Sequence, residues 1–314
     1  VTAGSTRSRR ARWVYAAKPD SWQKLLVPFV AGQAIGLGPA LDAGRGFSIA
    51  ACATGLAFTV LDLLFIVFLN DWGDREVDAI KRRMFPEGCS PKTIPDGILP
   101  ASSLLLAGLI AGGLALGVAA ATEVWLDRPG LTVASALALG LFVAYTLPPL
   151  RLNYRGGGEL LEMLGVGVVL PWLNAYHQGG AARAEGLWLL PGFALLSLAS
   201  AIGSGLADER SDRAGGKRTV VTTIGNPLSR KLLELLVVLG ALAWLATALV
   251  GLPIWLGGTA AITVLANAID LRRASPRAET DAFAAQRAYK ACLHRAIGRG
   301  AIIAACLYVV FELL

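Results

Sequence analysis

Asn70-Asp71-Trp72-Gly73-Asp74-Arg75-Glu76-Val77-Asp78 closes an apolar run that reaches back to about residue 47. A run of that length can cross a bilayer as one helix, so the acidic stretch falls at a membrane surface. Asn70, Asp74 and Asp78 recur every fourth residue. If the helix continues through them they lie along one slowly drifting face, where amide and carboxylate oxygens can converge on a cation. Such oxygens suit hard cations, and Mg²⁺ characteristically combines one or two carboxylates with waters and substrate phosphates. A second cluster, Asp208-Glu209-Arg210-Ser211-Asp212, repeats the spacing in Asp208 and Asp212 after another apolar run. Solvated carboxylates paired with Arg75 and Arg213 are the plain alternative. Two clusters of matching spacing at one membrane face favour a shared cation and phosphate site.

The rest of the chain supplies the membrane. Of 314 residues, 55% are hydrophobic and 16% charged, and the mean hydropathy is +0.57, well above that of soluble domains. Segments long enough to span fall near 22–41, 47–69, 101–121, 131–150, 158–177, 187–206, 231–250, 252–270 and 296–314, which predicts an all-α integral membrane protein of nine transmembrane helices. Gly251-Leu252-Pro253 makes the seventh and eighth a tight hairpin. Lys and Arg gather on the cytoplasmic side of membrane proteins. Here 26 of the 29 fall in the N-terminal segment and in 70–100, 151–157, 207–231 and 271–299, against Arg45, Arg128 and Arg183 on the other side. The N-terminus and both acidic clusters are therefore expected in the cytoplasm. The net charge of +7 then follows from topology and anionic lipid, with no nucleic acid implied. The basic segment 1–17 reads as a retained anchor, not a signal peptide. Cys52, Cys89, Cys292 and Cys306 show no metal or pairing pattern. His177 and His294 are expected in ordinary surface roles.

Basic residues cluster where a phosphate would need them. Gly215-Gly216-Lys217-Arg218-Thr219 follows Asp212 directly, combining glycines that admit an anion to the backbone with cationic side chains. It is not a P-loop, lacking the earlier glycine. Arg151 and Arg155 follow Tyr145-Thr146-Leu147-Pro148-Pro149, whose prolines end the fourth helix; anchoring at the cytoplasmic face is their other reading. Asp62 lies eight residues before Asn70 within an apolar helix, and an ionisable group at that depth points to a functional site, with a hydrogen-bonded structural aspartate as the alternative. Trp72, Phe65 and Phe68 are more simply packing residues than the lining of a tunnel.

In chain order these stretches resemble the UbiA superfamily of intramembrane prenyltransferases. Asn70-x3-Asp74-x3-Asp78 is similar to its first aspartate motif. Lys92-Thr93-Ile94-Pro95-Asp96-Gly97 resembles its basic Pro-Ile-Pro-Ser-Gly turn. Tyr145 to Arg151 and Arg155-Gly156-Gly157-Gly158-Glu159 resemble its Tyr-Ser-x-Pro-Pro-x-Arg-Leu and Arg-Gly-x-Gly-Glu stretches, and Asp208-x3-Asp212 with Gly216 to Thr219 its second aspartate motif. Lys18-Pro19-Asp20-Ser21-Trp22 is similar to its opening before helix one. The resemblance covers about residues 17–314, read as a single UbiA-type transmembrane domain over 1–314.

The resemblance implies a bundle around a central cavity, open to lipid and capped by cytoplasmic loops. It implies transfer of a prenyl group from a prenyl diphosphate to a lipophilic or aromatic, quinone-type acceptor, with site residues assigned by position. Asn70, Asp74 and Asp78 would hold one Mg²⁺, Asp208 and Asp212 a second, with Asp71 assisting. Lys18, Lys92, Arg151, Arg155, Lys217 and Arg218 would meet the diphosphate. Tyr145 would face it or the allylic cation, Glu159 would lie near the acceptor or serve as a structural bond to a helix end, and Asp62 would serve the acceptor or the cation.

Departures from the family pattern leave the acceptor open. The naphthoate-prenylating branch leads one to expect Asn-Asn-x-Arg before the second motif, where this chain has Ser204-Gly205-Leu206-Ala207, and Gly73 stands where a larger aromatic is common. A UbiA-type terpene cyclase, ionising the same diphosphate without an acceptor, is the alternative enzyme. A transporter would instead carry its carboxylates at mid-membrane between inverted repeats.

Overall fold

A chain in lipid must satisfy its backbone polar groups internally, and the apolar runs do so as helices. The computed structural model describes residues 7–90, 92–181 and 184–314; Arg183 lies outside them. The helices are α1 (Arg9–Ala17), α2 (Gln23–Ile35), α3 (Leu37–Asp42), α4 (Ile49–Gly73), α5 (Arg75–Met84), α6 (Ala101–Trp125), α7 (Leu131–Thr146) and α8 (Gly158–Leu164). They continue with α9 (Leu170–Gly179), α10 (Ala184–Leu187), α11 (Leu190–Gly205), α12 (Glu209–Ala214), α13 (Val220–Leu245), α14 (Ile254–Ala274) and α15 (Phe283–Leu313).

Among the described residues, seven helical stretches are long and apolar enough to cross a membrane: Gln23–Asp42, Ile49–Gly73, Ala101–Trp125, Glu185–Ala214, Val220–Val250, Ile254–Arg277 and Phe283–Leu313. The expected segment 131–150 is the shorter α7. The segment 158–177 is α8 and α9, joined without a break by a π-helical turn at Gly165–Val169. Two expected boundaries move. The seventh helix starts at Val220, not near 231, and the last at Phe283, not near 296. Both carry polar turns beyond their apolar stretch, which hydropathy alone assigns to loops.

Small residues let the helices approach closely, as in membrane bundles generally. Gly32 of α2 and Gly36 at its C-terminal end, one turn apart, lie against α9; a Cβ on Gly32 would collide with the Pro171 carbonyl and the Asn174 side chain. Gly108 and Gly112 do the same on α6, where an added Cβ would come within 2.8 Å of Leu69 and Phe65 of α4 respectively. The Gln23–Asp42 span is the most enclosed, with 72% of its apolar window buried against 33% for the outer α6, α14 and α15 spans. One core gathers α2, α9, α11 and α13–α15 around Trp244, Tyr289 and Leu293. A second joins α4, α6, α7 and α9 around Phe58, Leu63 and Leu173.

Among the described residues, the basic side chains expected on the far face, Arg45 and Arg128, are helix caps. Arg45 donates to the Gly179 carbonyl at 2.8 Å, and the buried Arg128 donates to the carbonyls of His177 and Gln178 at 3.0 and 3.1 Å. Both neutralise the C-terminus of α9. His177 itself corrects the surface expectation: it is fully buried and packs on Phe58, ring centroids 5.8 Å apart. His294 faces Ser200 Oγ at 3.3 Å.

Candidate active site

The helix does continue through the first acidic cluster, with a small adjustment at Asp74. The Asp74 N–H donates to the Asn70 carbonyl and the Asp78 N–H to the Asp74 carbonyl, both at 2.8 Å, so Asn70, Asp74 and Asp78 stack on one face. That face borders a cavity of about 410 Å³. Asp208, on the turn into α12, and Asp212, within α12, border the same cavity. Its deeper wall is apolar, with Leu63, Ile66, Val67, Phe142, Val169 and Leu173.

Lysines meet the carboxylates individually. Lys18, held in a left-handed turn (φ 48°) before Pro19, pairs with Asp71, which also accepts from Thr93 Oγ1 at 2.5 Å. Lys92 Nζ is 2.5 Å from Asp78. Lys81, fully buried on α5, pairs with Asp208 and donates to the Ala207 carbonyl at 2.6 Å. Lys217 ties the two motifs together, lying 2.7 Å from Asp74 and 4.0 Å from Asp212. Asp74 further accepts from the Tyr154 hydroxyl at 3.2 Å and Asn153 Nδ2 at 3.3 Å.

Charge balance decides the protonation states at this rim. Burial alone would pull the Lys92 ammonium down, but Asp208, Asp78 and Asp71 outweigh it and hold it above the usual lysine range. Lys217 is likewise opposed by burial and raised by Asp74 and Asp212. Burial pushes Asp78 up, opposed by Lys92. Both lysines are therefore charged at neutral pH.

The turn carrying Lys92 is fixed through Asp96. Arg82 grips its carboxylate with two nitrogens at 2.7 and 2.8 Å, the Tyr15 hydroxyl donates at 3.0 Å and the Lys92 N–H at 3.0 Å. Burial and Asp96 push the Tyr15 phenol up to about 12, so it remains a donor at any ordinary pH.

The other residues singled out from the sequence divide into two groups. Asp62, Tyr145 and Glu159 border the cavity with Lys18, Lys92, Lys217, Asn70, Asp71, Asp74, Asp78, Asp208 and Asp212. Asp62 is buried in the α4 wall. Glu159 Oε1 accepts from the Val220 N–H at 2.7 Å and so caps α13. Arg151, Arg155 and Arg218 stand outside the cavity lining. Arg151 donates to the Gly73 carbonyl at 2.8 Å and stacks over Tyr154, its guanidinium 3.6 Å from the ring centre. Arg155 and Arg218 are exposed and joined by a backbone bridge. Gly73 faces Thr146, whose Oγ1 would lie 2.5 Å from an added Cβ; it serves the α4–α7 contact and not the pocket. Phe65 packs on Phe142 and Phe68 on Trp13, while Arg75 covers Trp72.

The donor set fits a magnesium site. No group of three or more His, Cys, Asp or Glu side chains among the described residues forms a ready metal cage, but Mg²⁺ needs only one or two carboxylates when phosphates and waters complete its shell. Both acidic clusters offer that.

Residues 25–291 match the family model described as the UbiA prenyltransferase family. The chain belongs to the UbiA prenyltransferase family. It is 28% identical over 182 residues to the chloroplastic chlorophyll synthase of Arabidopsis thaliana, covering 57% of this chain and 43% of that protein. Thus it matches less than half the length of that relative. Identity to the 1,4-dihydroxy-2-naphthoate octaprenyltransferase of Mycobacterium leprae is 26% over 255 residues, 78% of this chain and 83% of that one. A UbiA homolog from Archaeoglobus fulgidus bound to DMAPP and Mg²⁺ superposes with a TM-score of 0.69 at 17% identity, over 96% of this chain and 98% of that chain.

Several polar residues of this UbiA-family cavity escape a motif reading. Lys24 Nζ reaches Glu162 Oε1 at 2.8 Å and Ser204 Oγ at 2.6 Å. Lys290 borders the cavity from α15, although its sequence neighbourhood reads as a loop. Lys81, which pairs with Asp208 from outside the lining, had a usable signal, since it lies three residues after Asp78 on the same helix. Lys24, Glu162, Ser204 and Lys290 come from four helices, and only the fold joins them.

Proposed function

We propose that the chain is a Mg²⁺-dependent intramembrane prenyltransferase that moves a prenyl group from a prenyl diphosphate to a lipophilic, aromatic acceptor of the quinone type. One observation carries this reading: two aspartate motifs and the three lysines Lys18, Lys92 and Lys217 paired with them line the rim of a single cavity whose deeper wall is apolar. Its similarity to a naphthoate octaprenyltransferase and the fold shared with a DMAPP- and Mg²⁺-bound homolog support it.

In this reading Asn70, Asp74 and Asp78 hold one ion and Asp208 and Asp212 another, with Asp71 assisting. When bound, Mg²⁺ supplies positive charge that offsets the charge of the departing diphosphate. Lys18, Lys92 and Lys217 turn from their carboxylates to the diphosphate oxygens, while Arg151, Arg155 and Arg218 support that loop from outside. The allylic C–O bond breaks, the acceptor's nucleophilic atom bonds to the allylic carbon, and the acceptor loses a proton. Tyr145 faces the reacting carbon with its ring, and the apolar wall excludes water that would quench a carbocation. Asp62 serves the acceptor's proton. Lys24, Ser204 and Lys290 offer the acceptor's polar end its contacts, where the naphthoate branch carries other residues. Glu159 acts from beneath by fixing α13.

The seven long helices, α7 and the continuous α8–α9 run make nine crossings of one domain over 1–314. The basic asymmetry puts the aspartate rim and the basic segment 1–17 in the cytoplasm.

Purified protein in detergent is incubated with Mg²⁺ and geranyl, farnesyl or geranylgeranyl diphosphate, with or without dihydroxynaphthoate or hydroxybenzoate, and products are read by mass spectrometry. An acceptor-dependent prenylated product, lost in Asp74→Ala and Asp208→Ala, is the expected result. Cyclic products without acceptor would replace the transferase by a cyclase, and no turnover by folded protein would overturn the enzymatic reading.

A further inference from the structure

Away from the cavity, α13 and α14 leave a surface groove of about 530 Å³. Its walls are Leu235, Val238, Leu265 and Ile269, between 36% and 53% exposed. The apolar stripe runs on along the helices through the exposed Leu242 and Ile262. At one end stand Lys231, Arg272 and Arg273. That end faces the same side as the aspartate motifs, because α13 begins three residues after Lys217 and Arg230 of α13 donates to the Ser275 carbonyl beyond α14. Cations thus sit one turn above an apolar channel on two helices long enough to span the bilayer.

Charge at the groove mouth decides what suits it. Glu234 is already engaged: it accepts from Arg272 Nη1 at 2.6 Å and from the Tyr289 hydroxyl at 3.2 Å, and its side chain is only 11% exposed. Asp270 meets Arg273 at a long 3.5 Å. Lys231 has no ion pair among the described residues, so three cations oppose two carboxylates. Arg272 spends one nitrogen on Glu234 and keeps its other donors.

We propose that this groove binds one anionic glycerophospholipid of the surrounding bilayer, its phosphate against Lys231, Arg272 and Arg273 and an acyl chain along Leu235, Val238, Leu265 and Ile269. A zwitterionic lipid satisfies the apolar walls equally but leaves the excess positive charge unmatched. Basic pockets between spanning helices are suited to anionic headgroups for this reason. Through Glu234 and Tyr289 the headgroup also reaches α15 one residue from the cavity-lining Lys290.

The test uses the full chain in nanodiscs of equal phosphatidylglycerol and phosphatidylcholine, released into the gas phase for native mass spectrometry. One retained phosphatidylglycerol per chain is expected. At about 1 kcal/mol per basic residue near a membrane surface, Lys231→Gln with Arg273→Gln lowers the glycerol-to-choline retention ratio about thirtyfold and Lys231→Gln alone about fivefold. Both side chains are exposed, and thermal unfolding checks that each variant is folded. Equal retention of the two lipids, or parental retention in both variants, overturns the proposal. A lipid-free dimer would overturn it in favour of a second copy covering the groove.

Discussion

Replacing Lys217 by methionine removes an ammonium that lies between the two aspartate motifs and faces a carboxylate of each. Its side chain is 9% exposed and Asp74 is 11% exposed, at a separation of 2.7 Å, with Asp212 at 4.0 Å. Breaking a buried pair by deleting one partner costs about 3–5 kcal/mol, because the other charge is left unmatched. Here Tyr154 and Asn153 still donate to Asp74, so about 3 kcal/mol is expected. The assay is thermal unfolding in detergent followed by tryptophan fluorescence, with and without Mg²⁺. If the carboxylates form a cation site, Mg²⁺ replaces the lost ammonium and stabilises Lys217→Met more than the parent, by binding to the folded state alone. Adding Asp74→Asn removes the second partner and recovers part of the loss. A variant as stable as the parent, or one indifferent to Mg²⁺, would refute the electrostatic account of this rim.

Three further outcomes follow from the same geometry. Glu159→Gln weakens the cap on α13 and costs about 1 kcal/mol; unfolding falls accordingly while turnover at low temperature persists, and abolished turnover in a stably folded variant would give Glu159 a chemical role. Asp96→Ala frees the turn that carries Lys92, so the apparent affinity for prenyl diphosphate weakens with kcat little changed, and an unchanged KM would disconnect Asp96 from the site. Lys92 and Lys217 have folded-state pKa values above their ordinary 10.5, so their contribution is fully present below about pH 10 and is lost as pH rises through the folded values. Unfolding measured from pH 7 to 12 shows this alkaline decline, and it flattens in the Lys→Met variants.

Hydropathy and spacing located the spans and both acidic motifs because each depends on residues close in sequence. Hydropathy failed at Val220 and Phe283, where helices extend through polar turns, and at Arg128 and Arg45, which cap α9 although they read as loop charges. His177 reads as a helix-end polar residue, yet the bundle encloses it.

Composition and periodicity by themselves determined that this chain is a membrane helix bundle with two carboxylate faces, since water-to-lipid transfer and the helical repeat act locally. Tertiary structure alone decided that Lys217 bridges Asp74 and Asp212, that Arg151 serves the end of α4, and that Lys24, Glu162, Ser204 and Lys290 share one wall. Those pairings join residues as far apart in sequence as Lys24 and Ser204, separated by 180 positions, and pairing at such separations is set by which helix faces the packing of small residues brings together.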